Sequence, residues 1–278
     1  MLKQRVITAV VLLLVLLPAV FAPMSWPFAV LTLVMITAAG WEWGRLNGAG
    51  ATGSLVMGAV VGGLCAAALQ LGWVGVGASP AWWLACGVWV LGGALAIKVG
   101  PTAWPGLPIV ARWVLGVAML FTAWLALASA KVVGLNYLLS VFCLVWVADI
   151  SAYFGGRAFG RRKLAPTISP GKSWEGVWSG MVGVMVLAAA WILIDKTWSL
   201  GSASVFTLLW QRFDVLGLML ALVFLCAMSV LGDLVESLVK RSAGAKDSSQ
   251  LLPGHGGVLD RVDALLPVFP IAMALSSL

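Results

Sequence analysis

Residues 6–22 read VITAVVLLLVLLPAVFA. The run carries no charge and, with a residue or two on either side, is long enough to cross a bilayer, which takes about 20 mostly apolar residues. Lys3 and Arg5 precede it and Val20-Phe21-Ala22 ends it, which is also the outline of a cleavable signal peptide. The apolar run exceeds the roughly 7–15 residues of a signal core, and further runs follow. It is therefore read as an uncleaved first membrane helix.

Working outward, similar runs recur near 27–41, 54–71, 81–97, 113–130, 134–150, 177–194, 215–232 and 264–278, about nine spans in all. The last is the weakest: its length gives a rise of only about 22 Å as a helix, so it borrows 258–263 or ends short. A chain trimmed at its carboxy end is one expectation for so brief a run. The composition is 62% apolar and 10% charged with sixteen Trp, and the mean hydropathy is +1.05, which excludes a soluble globular protein. The runs are continuous rather than alternating, so helices and not a closed barrel satisfy the backbone in lipid. The expected fold is all-α, a polytopic transmembrane helical bundle forming a single integral membrane domain over 1–278. No internal repeat, linker or low-complexity tract divides it.

Nine spans assign every connection to a side. With the amino terminus in the cytosol, the cytosolic segments hold Lys3, Arg5, Arg45, Lys98, Arg112, Arg157, Arg161, Arg162, Lys163, Lys172, Lys240, Arg241, Lys246 and Arg261. The outer segments hold Lys131, Lys196 and Arg212. That asymmetry obeys the positive-inside rule and orients the chain. The net charge of +7 is thereby topology and attraction to anionic membrane lipid, and no nucleic-acid partner is read from it. Cys65, Cys86, Cys143 and Cys226 all lie in apolar spans as small fillers. Gly58-x-x-x-Gly62 and Gly176-x-x-x-Gly180 are read as helix-packing notches.

The carboxylates are lopsided. Glu42 stands alone before residue 149, and nine follow from Asp149 onward. Residues 1–133 are accordingly a helical scaffold half, and 134–278 the half that carries the chemistry. Acids in membrane helices are costly to bury and point to function. Three clusters qualify, all at the expected cytosolic face. WVADISAYFGGRAFGRRKLAPTISPGKSWEG (146–176) combines Asp149, a basic glycine-rich stretch and Ser169-Pro170-Gly171-Lys172-Ser173. It is not a P-loop, because Pro166 stands where the first glycine must be. Ser173 can cap the next helix, whose positive end beside Lys172 suits a phosphate; a basic loop that only sets topology is the plain alternative.

LGDLVESLVKR (231–241) spaces Asp233, Glu236 with Ser237, and Lys240 along one face of a helix leaving the membrane. The plain alternative there is an amphipathic helix end with a Glu236–Lys240 pair. In PGHGGVLDRVD (253–263), Gly254, Gly256 and Gly257 allow a turn that aims N–H groups at an anion. Asp260 and Asp263 follow on one face, where they either complement a helix dipole or, with Asp233, hold a hard cation such as Mg²⁺. One histidine, His255, and no cytosolic cysteine argue against zinc. Cations, glycine-borne N–H groups and convergent acids are the parts of phosphoryl or nucleotidyl transfer.

The order Ser237-x-x-Lys240-Arg241-x₄-Lys246-Asp247, then Pro253-Gly254-His255-Gly256-Gly257-x-x-Asp260-Arg261-x-Asp263, resembles the signature of phosphatidate cytidylyltransferases. Asp149-x-x-Ala152-Tyr153 and Ser169-Pro170-x-Lys172-Ser173-x-Glu175-Gly176 extend the resemblance over the carboxy-terminal half. It departs at Gly171, where members often carry a second basic residue. The resemblance implies an Mg²⁺-dependent transfer of CMP from CTP to phosphatidate, giving CDP-diacylglycerol and pyrophosphate in phospholipid synthesis.

In that reading Asp233, Asp260 and Asp263 hold the metal. Lys240, Arg241, Lys246 and Arg261 bring the lipid phosphate in line, Asp247 orients Lys246 and Arg241, and His255 donates to the departing pyrophosphate. Asp149, Lys172, Ser173, Ser237, Gly254, Gly256 and Gly257 contact substrate. A second, monovalent cation, a homodimer and residence in a bacterial inner membrane with the site facing the cytosol are expectations of the same kind. A transporter is the rival class, but its ionisable groups belong near the bilayer midplane. The D-G-x₂-A-R signature of CDP-alcohol phosphotransferases is absent from the sequence.

Overall fold

Backbone groups in lipid must pair within their own segment, and helix occupies each of the nine expected intervals. The structure, a computed structural model, describes residues 2–75, 79–198 and 200–277. The side chains of Lys3 and Arg5, which helped orient the first helix, lie outside the described residues. The helices are α1 (Leu2–Phe21), α2 (Trp26–Leu46), α3 (Gly50–Gln70) and α4 (Ser79–Gly87), which runs through a π-helical turn at Val88–Gly93 into α5 (Ala94–Val99). Then come α6 (Ile109–Val133), α7 (Leu135–Phe159), α8 (Trp174–Thr197), α9 (Val205–Ser242), α10 (Leu259–Val262) and α11 (Leu265–Ser276).

By length and hydropathy six helices can cross a membrane: α3, the α4–α5 run from Pro80, α6, α7, α8 and α9. The other three intervals are weaker for identifiable reasons. The apolar part of α1 is Val6–Phe21, α2 carries Glu42 and Arg45, and the twelve residues of α11 rise only about 18 Å.

Two helix pairs pack closely, and glycine permits both. A β-carbon at Gly58 on α3 would lie 2.9 Å from the Thr37 carbonyl oxygen on α2. One at Gly176 would lie 2.8 Å from the Ala152 carbonyl oxygen, and one at Gly180 2.9 Å from that of Ala148, so α8 sits directly on α7. Both glycine pairs are therefore packing notches.

Long-range polar contacts sort the connections into two ends. At one end, Thr8 on α1 donates to the Pro253 carbonyl at 2.9 Å, Arg45 to that of Ser248 at 2.8 Å, and Trp104 to Asn47 at 2.9 Å. At the other, Lys131 reaches the Val20 and Ala22 carbonyls, and Arg212 donates to that of Ser276 at 3.0 Å. Asp195 there accepts from Asn136, Ser204 and Thr207 at 2.6–2.8 Å through their side chains. Lys196 lies over the Trp210 ring at 4.2 Å.

One element departs from the all-α expectation. Strand β1 (Lys163–Ala165) pairs antiparallel with β2 (Ser169–Ser173). Gly160, Pro166, Pro170 and Gly171 interrupt the segment between α7 and α8 and keep either helix from extending through it. The Glu175 carboxylate accepts from the Arg161 and Arg162 N–H groups and folds the hairpin back onto α8.

Candidate active site

The hairpin serves to place Lys172. Carried on β2, its Nζ lies 2.6 Å from Asp233 Oδ2 on α9. The next residue, Ser173, starts α8 by accepting from the Gly176 N–H at 3.2 Å, a conventional cap. Ser237, one turn past Asp233, donates to its other oxygen at 3.2 Å. Asp149 on α7 interacts electrostatically with Lys172 and Asp233. Asp263, at the break between α10 and α11, interacts with Asp233, Lys172 and Lys240. Burial first, then the charge of Asp233, pushes the Asp263 carboxyl well above the usual carboxylate range, against an N–H from Ala264 at 2.8 Å.

Beside this group lies a second one. Lys240 bridges Glu236 at 2.5 Å and Asp260 at 2.6 Å. The other Asp260 oxygen accepts from the Ser248 N–H, the Ser248 hydroxyl and the Gly257 N–H, each at 2.8 Å. Burial opposes ionisation, but Lys240 and these donors prevail and bring the carboxyl down to about 2. The sequence placed Asp233, Asp260 and Asp263 around one ion. In the structure both oxygens of Asp260 are taken by protein donors, and among the described residues no three acidic, His or Cys side chains are set to hold a metal. Asp233 and Asp263 remain as a pair.

The glycine turn also faces differently from the expectation. Gly254 (φ 77°) and Gly256 (φ 83°) are left-handed, as so tight a turn requires. But Gly257 gives its N–H to Asp260, and Val258 and Leu259 donate theirs to Glu42 at 2.9 and 2.6 Å. The anion at this helix start is thus the protein's own. Glu42 is wholly buried and also accepts from the hydroxyls of Ser248 at 3.2 Å and Ser249 at 2.5 Å. A β-carbon at Gly257 would collide with the Ser248 hydroxyl and the Glu42 carboxylate, so only glycine fits. Sequence reasoning passed over Glu42; a lone acid in an apolar helix was the available signal.

The remaining expected residues are more dispersed. Arg241 donates to the Ile168 carbonyl at 3.4 Å and the Ala245 carbonyl at 3.1 Å. Arg261 donates from Nε to the His255 carbonyl at 3.0 Å. Among the described residues Asp247 pairs with neither Lys246 nor Arg241, contrary to the expected orienting role; the guanidinium of Arg241 goes to backbone carbonyls instead. Lys246 and Asp247 line an open pocket of about 460 Å³ with Trp41, Arg45 and Ser249. The Nδ1 atom of His255 is buried and has no hydrogen-bond partner among the described residues.

Residues 3–278 match the family described as "Cytidylyltransferase family". The chain belongs to this family. It is 38% identical to a phosphatidate cytidylyltransferase of Pseudomonas aeruginosa over 99% of this chain and 97% of that protein. Identity reaches 53% with one of Haemophilus influenzae, over 49% of this chain and 44% of that protein. With one of Bacillus subtilis it is 36%, over 58% and 55%. In those two cases the match spans about half of the relative's length.

In this cytidylyltransferase-family site, among the described residues, Asp149, Asp233, Glu236, Asp260 and Asp263 face two ammonium groups, Lys172 and Lys240, and both already have acidic partners. A surplus of acid is the donor chemistry of a hard cation. Mg²⁺ commonly takes one or two carboxylates plus substrate phosphates, and the Asp233–Asp263 pair fits that mode. Arg241, Lys246 and Arg261 make no ion pair among the described residues and are the cations left for an incoming phosphate.

Proposed function

We propose that this protein is a phosphatidate cytidylyltransferase, joining CTP and phosphatidate into CDP-diacylglycerol with release of pyrophosphate. A phosphate monoester has its second pKa near 6, so the lipid phosphate is largely dianionic at neutral pH and already nucleophilic. Its oxygen bonds to the α-phosphorus of CTP, the bond from that phosphorus to the bridging oxygen breaks, and pyrophosphate leaves with the electron pair. No general base is required. The difficulty is bringing two polyanions together, and Arg241, Lys246 and Arg261 would hold and align their phosphates. Lys172 and Ser173 would position CTP at the start of α8. Bound Mg²⁺, held by Asp233 and Asp263 with Asp149 nearby, would neutralise polyphosphate charge.

The observation that carries this reading is the gathering of Asp149, Lys172, Asp233 and Asp263 from four separate segments, the last of them the end of the 246–263 loop, at one end of an apolar bundle. The proposal includes nine crossings, an amino terminus and site in the cytosol of a bacterial inner membrane, and a homodimer. Purified protein in detergent, given CTP, phosphatidate and Mg²⁺, is expected to yield CDP-diacylglycerol and pyrophosphate in equal amounts. No pyrophosphate from active-site-intact protein rejects the assignment. Asp263→Asn is expected to lower turnover at least about a hundred-fold, with unchanged membrane insertion and helical content by circular dichroism; near-normal turnover removes Asp263 from the metal.

A further inference from the structure

A cavity of about 280 Å³ opens between α1 and the bundle. Leu12 and Leu16 of α1, Leu127 of α6, Phe142 of α7 and Phe269 of α11 form its walls. Leu252, Val258 and Val262 close it toward the loop that carries Asp260 and Asp263, and among the described residues Arg261 is the one charged member of its lining. Thr32 also lines it, but its hydroxyl turns back to the Phe28 carbonyl at 2.8 Å and asks nothing of an occupant. The helix α1 packs on α2 and is tied to the loop through Thr8, while Val10, Leu13, Leu14 and Leu17 stay exposed on its outer side.

We propose that this cavity holds one acyl chain of phosphatidate, its phosphate at the Arg261 end. The inference rests on the reaction proposed above and goes further, assigning where the lipid's tail lies. A uniformly apolar slot would accept any bilayer lipid. Here the charge among the described lining residues is a cation at one end, which selects an anionic head. That cation sits one residue from Asp260 and two from Asp263, so a seated tail delivers its phosphate beside the acids. Apolar contact along the chain supplies the hold, as burial of methylene groups does in any dry pocket.

Filling the slot tests this. Ala123→Phe and Leu127→Trp, on α6 and outside the reacting groups, are expected to raise KM for dioleoyl phosphatidate about ten-fold. KM for dihexanoyl phosphatidate and for CTP should stay as in the unsubstituted protein. An unchanged dioleoyl KM in both variants overturns the proposal. Against misfolding of the variants, the unsubstituted protein is also photolabelled with phosphatidate carrying a diazirine near the end of one acyl chain. Adducts are expected on segments 12–16 and 123–127, suppressed by excess dioleoyl phosphatidate and not by dioleoyl phosphatidylcholine. Equal suppression by both lipids, or adducts spread over the outer faces, overturns it. Labelling in the slot without any CTP-dependent turnover would instead reject the reaction and leave the lipid site standing.

Discussion

Glu42 is the residue on which the loop's shape depends most. Its two oxygens collect two backbone N–H groups and two hydroxyls from residues more than two hundred positions away. Glu42→Ala leaves those donors buried and unpaired, a local cost of roughly 3 kcal/mol. The expected outcome is lost hydrogen-exchange protection over 248–259 with the helices intact, and turnover down about a hundred-fold through misplacement of the loop. Glu42→Gln keeps the shape and should recover part of both, since an amide accepts at one oxygen only. Asp260 makes a pH prediction. Its carboxyl is depressed from 3.8 to about 2, so its contribution, roughly 2 kcal/mol, is complete above about pH 4 and is lost as pH falls through 2. Thermal midpoints of detergent-solubilised protein between pH 5 and 2 should fall more steeply than those of Asp260→Asn. The acids and cations of the second half were legible because polar side chains are conspicuous in an apolar sequence. Partners close in sequence were legible too, the Glu236–Lys240 pair and the Ser173 cap; the long-range ones were not, because partners such as Glu42 and Ser248 meet only once the chain has folded.

At the level of elements, sequence spacing located every long helix, since apolar length alone decides the matter in lipid. It missed the hairpin before α8, whose strands are three and five residues long and carry no alternating pattern. It also missed the break in α9 at Asp214, where φ 56° and ψ −170° put a non-glycine residue in a region that favours glycine. Asp214→Gly is expected to raise stability by roughly 1 kcal/mol, seen as a higher unfolding midpoint; a lower midpoint would mean that the aspartate side chain stabilises the bend. The α7–α8 seam gives a sharper case. Gly180→Val would drive a branched side chain into the Ala148 carbonyl, part the two helices and draw Lys172 away from Asp233. Turnover should fall with stability, by roughly 1–3 kcal/mol of the latter. Gly183 is a less suitable control, because Ser151 already fills its space.

For the molecule as a whole, the polar groups divide between a reactive end and a bonded end. The Asp195 network is satisfied by its neighbours, whereas the acids around Lys172 exceed their cations. Metal chelation is accordingly expected to stop turnover while leaving helical content and detergent solubility unchanged; a loss of fold on chelation would assign the ion a structural role. The Lys131 contact bears on how the chain is made. Its ammonium closes on carbonyls 111 and 109 residues earlier. At about 5–20 residues per second of synthesis, α1 waits roughly 5–20 s in the bilayer before α6 emerges to clasp it. During that interval the first helix has α2, made directly after it, as its packing partner, and its own oiliness keeps it lodged in the insertion machinery.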